Sequence, residues 1–150
     1  MIILGIDPGP AICGWAEYDT AARVVLCAAH VTVEEALDLL RARLGALVAI
    51  ERVQSQGQSG ASLLQTSEVV GRLQQRALIS GLPVDLIYRR EVLRALDVTG
   101  RGERDSMVRQ RLLEMHPGGK GTKKAPGPLY GVSGHCWQAL AVAVAAGLRR

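Results

Sequence analysis

Two apolar runs, each closed by a single carboxylate, constrain this chain more than any other feature. Ile2-Ile3-Leu4-Gly5-Ile6 ends in Asp7 and turns at once on Pro8-Gly9, and Leu47-Val48-Ala49-Ile50 ends in Glu51. Runs this short and this apolar read as buried strands, and a charge at the end of such a strand is costly to bury without a ligand or partner. If the two strands are parallel neighbours, both carboxylates emerge at one end of a sheet, where open α/β folds place their ligands. Two convergent carboxylates suit a hard divalent cation. Taken singly, Asp7 is an ordinary turn residue before proline and Glu51 a strand-end charge reaching solvent. The pairing makes them expected ligands.

The intervening sequence supplies the connection such a pair needs. Cys13-Gly14-Trp15-Ala16-Glu17-Tyr18 and Arg23-Val24-Val25-Leu26-Cys27-Ala28 flank a polar turn at Asp19-Thr20, which predicts a hairpin running antiparallel from the first strand. Thr32 precedes Glu35 at capping-box spacing, and Ala36, Leu37, Leu40 and Leu44 follow at helical intervals up to Gly45. A helix of about three turns therefore returns the chain to the Glu51 strand in a right-handed parallel crossover.

Residues 52–60 are polar and rich in Gln, Ser and Gly, and are expected to form a mobile surface loop beginning at Glu51. Leu63, Leu64, Val69, Val70, Leu73, Ala77 and Leu78 predict a long amphipathic helix that stops at Gly81-Leu82-Pro83. Val84-Asp85-Leu86-Ile87-Tyr88 reads as a fifth strand. Val92, Leu93 and Leu96 mark one short helix, and Met107, Val108, Leu112, Leu113 and Met115 another. Residues 116–131 hold Pro117, Pro126, Pro128, several glycines and three lysines, and read as a flexible basic loop. From Gly134 to Val144 the chain is a small-residue helix able to pack closely on a sheet, with His135 and Gln138 three residues apart on one face of its first turn.

At 150 residues the chain is read as one domain, 1–150. Hydrophobic residues reach 48%, yet no run approaches the roughly 20 residues of a bilayer span, and no basic segment precedes the first apolar run as in a signal peptide. A cytoplasmic protein with no membrane partner is expected. Cys13, Cys27 and Cys136 lack metal-type spacing and are expected in or near the core, as are Trp15, Tyr18 and Trp137; Met107 and Met115 read as packing. The net charge of +4 is modest. Its distribution is more telling: Arg89, Arg90, Arg94, Arg101, Arg104, Arg109, Arg111, Lys120, Lys123 and Lys124 all fall in the second half, which favours a polyanionic partner.

Four segments in order, Ile3-Leu4-Gly5-Ile6-Asp7-Pro8-Gly9, Val48-Ala49-Ile50-Glu51-Arg52-Val53, Gly102-Glu103-Arg104 and His135 through Val144, resemble the RuvC-type Holliday-junction resolvases of the ribonuclease H-like, retroviral-integrase-like nucleases. The resemblance implies an α/β fold with a mixed five-stranded sheet, its first three strands antiparallel and its last two parallel to the first, flanked by helices. It implies two magnesium or manganese ions at the scissile phosphate, held by side chains that here are Asp7, Glu51, His135 and Gln138. The family has Asp or His at the place of His135 and Asp at the place of Gln138. A neutral amide offers one oxygen and no charge, so Gln138→Asp is expected to raise metal-dependent cleavage, and Glu68 and Asp105 are the acids best placed to compensate. His135 is implied as ligand or general base. Arg104 and Arg94 match family lysines on the phosphate backbone.

In the family an aromatic wedge follows the second carboxylate. This chain has no Phe, and Gln54 falls near that place, so stacking worth roughly 1 to 3 kcal/mol per base gives way to hydrogen bonding by Gln54, Gln56 and Gln58. With Arg52, Lys120, Lys123 and Lys124 these residues complete the expected DNA contacts. The implied function is paired symmetric nicking of four-way DNA junctions in recombination and repair by a homodimer, with the helix over 63–78 as the dimer face and a branch-migration motor as a candidate partner. The alternative is a junction-binding protein with impaired or no cleavage. Two further classes are an RNA-processing nuclease of the same fold and an actin-like ATPase suggested by Gly5-Ile6-Asp7-Pro8-Gly9; the chain is too short for the two lobes of the latter.

Overall fold

A computed structural model describes residues 1–54, 60–100 and 102–150; Gln56, Gln58 and Arg101 lie outside the described residues. Five strands form one sheet in the order β3-β2-β1-β4-β5, with β1 at Ile2–Asp7, β2 at Ile12–Asp19, β3 at Val24–Thr32, β4 at Leu47–Arg52 and β5 at Val84–Tyr88. β1, β2 and β3 run antiparallel in succession, and β4 and β5 run parallel to β1. This is the mixed sheet implied above.

Alternation along the strands sorts the side chains between two cores. Leu4, Ile6, Trp15, Val48 and Ile50 face α1 (Val33–Ala42) and α2 (Ala61–Ile79). Ile3, Ala16, Leu47, Ala49 and Ile87 face α3 (Arg89–Ala95), α4 (Arg104–Met115) and α5 (Cys136–Leu148). Asp7 continues the Ile3-Gly5 face and Glu51 the Leu47-Ala49 face, so a period of two sends both carboxylates toward α5.

The Thr32–Glu35 capping box opens α1 as expected, Glu35 N–H donating to Thr32 Oγ1 at 3.2 Å and Thr32 N–H to the Glu35 carboxylate at 2.7 Å. α5 is the apolar spine of the molecule, buried from Ala139 through Ala146. It lies almost directly on backbone: a Cβ at Gly5 would fall 2.0 Å from the Ala139 carbonyl oxygen, and one at Gly14 2.5 Å from that of His135. Only glycine at these two positions lets helix and sheet approach so closely.

Two expectations need correction. Residues 116–131 form a folded connection and not a loose loop: Leu129 is fully buried, Leu129 N–H donates to Gly119 O, and Val25 N–H donates to Pro128 O at 2.8 Å. The apolar anchors Leu129 and Val132 outweigh the loop-like composition around them. Cys27 is exposed on β3, whereas Cys13 and Cys136 are buried. Trp15, Tyr18 and Trp137 are core residues, and Tyr18 Oη lies 2.8 Å from Nε2 of the buried His116. Among the described residues no helix is long and apolar enough to cross a membrane.

Candidate metal centre

Three adjacent strand ends build the site. Ile6 pairs with Ile50 across β1 and β4, and Glu51 pairs with Ile87 across β4 and β5. The residues that follow these pairs, Asp7, Glu51 and, two positions beyond Ile87, Arg89, are thus delivered side by side. α5 brings His135 and Gln138 over them from its N-terminal end, and the first turn of α4 brings Asp105.

His135 Nδ1 lies 3.3 Å from Asp7 Oδ2. An ionised carboxylate only accepts, so Nδ1 donates in this pair, and the neutral ring in that tautomer keeps its lone pair on Nε2, on a side chain that is mostly exposed. The backbone sets this arrangement too: His135 N–H donates to His30 Nε2 at 3.1 Å, and the two imidazoles meet edge to face at 6.1 Å. His30, on β3, is a positioning residue that sequence reasoning missed; only the sheet order brings it to α5.

Arg89 occupies the other side. Its Nη1 donates to Gln138 Oε1, its Nη2 pairs with Asp105, and Nη1 lies 3.9 Å from Glu51 Oε2. Of the two acids expected to compensate for Gln138, Asp105 therefore reaches the site and Glu68 does not. Arg89 itself was legible only as part of a basic stretch. The strand-end rule that singled out Asp7 and Glu51 would have found it, since it follows β5 directly.

Burial raises the Asp7 carboxyl above its ordinary value, against the opposing pull of His135 and Arg89. Glu51 is pushed up to about 7, again mainly by burial, with the Arg89 charge resisting and Asp7 adding to the rise. Carboxylates raised in this way in a cleft are a mark of a functional site.

The cleft measures about 440 Å³ and is walled by Asp7, Glu51, Arg52, Gln54, Arg104 and Gln138 among others. A second cleft of about 500 Å³ shares Asp105, His135 and Gln138 with it and continues past Arg109, whose guanidinium stacks 5.1 Å from the Trp137 ring centre. The two form one trough with arginines along it. Arg94 and Lys120, Lys123 and Lys124, expected at DNA, line neither part.

As a cation site the cluster is incomplete on its own. Among the described residues no three His, Cys, Asp or Glu side chains converge to hold an ion. Asp7 and Glu51 fit one hard cation beside the His135 ring, its remaining positions filled by water or phosphate oxygens. They do not fit two, because Gln138 is neutral and its amide oxygen is engaged by Arg89.

This order of strands, with a helix laid across the first two, is a ribonuclease H-like fold. It is the fold of Thermus thermophilus RuvC in particular. The structure of that protein in complex with a Holliday junction substrate matches at a TM-score of 0.69 and 22% identity, covering 99% of this chain and 93% of that one. A second Thermus thermophilus RuvC structure matches at a TM-score of 0.67 and 22% identity, covering 99% and 94%. No family model and no curated protein matches the sequence.

Proposed function

We propose that the chain is a divalent-metal-dependent, structure-selective endonuclease that resolves four-way DNA junctions by paired nicks, acting as a homodimer. The observation that carries this reading is the delivery of Asp7 and Glu51 by parallel neighbouring strands into an arginine-lined trough beneath His135. The likeness to a RuvC structure bound to a Holliday junction supports it.

A divalent cation bound at Asp7 and Glu51 would polarise the scissile phosphate and lower the pKa of a bound water. The chain's own residues supply the rest. Asp7 holds the His135 ring with Nδ1–H directed at it, which leaves Nε2 free to accept a proton from the attacking water. Arg52 and Arg104, on the cleft wall, bind phosphate oxygens and fix the strand in line with that water. Arg109 stacked on Trp137 extends the phosphate track along the trough. Two-fold symmetry of the protein suits a substrate cut twice.

Gln138 keeps a second reading in play: a protein that binds junctions and cleaves them poorly or not at all. A labelled four-way junction and a linear duplex of the same sequence, each with magnesium or manganese, decide between them. Metal-dependent nicks confined to the junction, lost by at least a thousandfold in Asp7→Asn while junction affinity is kept, support the nuclease. Tight junction binding without nicks supports the binder. Equal affinity for duplex and junction overturns both.

A further inference from the structure

The cleft contains a positive charge that a two-cation nuclease centre does not need. We propose that the Arg89 guanidinium is a resident cation of this site, standing in for one divalent ion, so that each protomer binds a single ion on the Asp7–His135 side. The proposal deepens the nuclease reading and rests on it.

Four observations carry it. Arg89 engages Gln138 and Asp105 at once and lies within 3.9 Å of Glu51, so it sits among the oxygens that would otherwise face a cation. Its fork donates to acceptors on two different elements, α4 and α5, and faces the Glu51 carboxylate of β4, which makes it a fixed charge and not a roving surface arginine. A guanidinium does not lose its proton in a protein, so a divalent ion adjoining it would face constant repulsion. Finally, Asp7, Glu51 and Asp105 against Arg89 leave two negative charges when fully ionised, the charge one divalent ion neutralises. Gln138 then has a clear role: an amide oxygen accepts from Arg89 without adding a charge that would call for a further cation.

Manganese titrated into the full chain without DNA, followed by calorimetry and electron paramagnetic resonance, reads how many ions bind and whether two lie side by side. The unaltered chain is expected to bind one manganese per protomer with the spectrum of an isolated ion. Arg89→Lys, which keeps the charge, should stay at one. Arg89→Ala combined with Gln138→Asp should take up a second ion at least tenfold more tightly than the unaltered chain does, with a spectrum broadened by the neighbouring ion, whereas Gln138→Asp alone should not, its new carboxylate being paired by Arg89. Two ions or none in the unaltered chain, or one ion still in a double variant whose circular dichroism is native, would overturn the proposal. If the double variant does not fold, Arg89→Gln takes its place, with a gain in second-ion uptake expected and no gain counting against.

The junction assay is run on the same samples and fails separately. One manganese with no junction preference removes the nuclease reading and leaves the cation assignment. Two manganese with junction nicking does the reverse.

Discussion

At the scale of single residues the most unusual property of the site is Glu51, a half-buried carboxylate whose pKa is pushed up to about 7 from 4.5. The linkage has a definite sign. Below about pH 4.5 the group is protonated whether the chain is folded or not, and it costs nothing. As pH rises toward 7 the unfolded chain releases this proton while the folded chain holds it, and folding is destabilised by an amount on the order of 3 kcal/mol at higher pH. In metal-free buffer Glu51→Gln is therefore expected to melt at a higher temperature than the unaltered chain at pH 8, with the gap closing by pH 4.5. Thermal unfolding followed by circular dichroism across that range checks it, and coincident melting at pH 8 would show that Arg89 already compensates the charge in full. Under the proposed function, metal binding is set against stability at this residue, because the ionised form that burial penalises is the one a cation would need.

At the scale of elements the decisive contact is between β1 and α5. The sequence displayed both partners: a glycine inside an apolar strand and a terminal helix of alanines and valines. It did not display their crossing point. Gly5 beneath Ala139 and Gly14 beneath His135 become interpretable only when the Cβ that each lacks is placed against the helix backbone. Gly5→Ala is expected to lower stability by about 1 to 3 kcal/mol and to reduce cleavage further than that loss alone explains, since α5 carries His135 and Gln138. Urea unfolding beside the junction assay at a temperature where the variant stays folded separates the two effects; a cost below about 0.5 kcal/mol would mean that the helix yields easily. Other elements were read almost to the residue. The Thr32–Glu35 cap and the strand Val84–Tyr88 emerged as expected because their signals are local. The 116–131 connection was misread because its order comes from Leu129 and Val132 docking on α5 and its neighbours, a tertiary effect that composition does not carry. His30 was missed for the same reason, as the target of its side chain is set by an element far away in sequence, whereas the signal for Arg89 was its place directly after β5.

For the whole molecule the proposed homodimer requires a face on which two copies can meet. α2 buries Val69, Val70, Leu73 and Ala77 against the sheet. Its outer side exposes Leu64 at 60% and Leu78 at 57%, with Gly71 midway between them at heptad spacing and nothing within 4 Å of the position its Cβ would take. Residues seven apart stack on one face of a helix, and a glycine between two leucines lets a second helix come near. A homodimer through this stripe is the expected assembly. Leu78→Glu should then shift the sedimentation coefficient from dimer to monomer while leaving the circular dichroism spectrum native, and should uncouple the two nicks of a junction. A chain that sediments as a monomer at tens of micromolar, with or without junction DNA, would rule this interface out.

The backbone-to-backbone seating of α5 on β1 and β2 reaches beyond stability. Where helix and strand are separated by side chains, exchanging a leucine for a valine can draw a site open or closed by fractions of an ångström. Here no side chain intervenes at Gly5 or Gly14, so the span from Asp7 to His135 and Gln138 works as a fixed gauge. Changes of chemistry on this scaffold have to come from what fills the gap and not from its width, and an arginine facing a glutamine is one such filling.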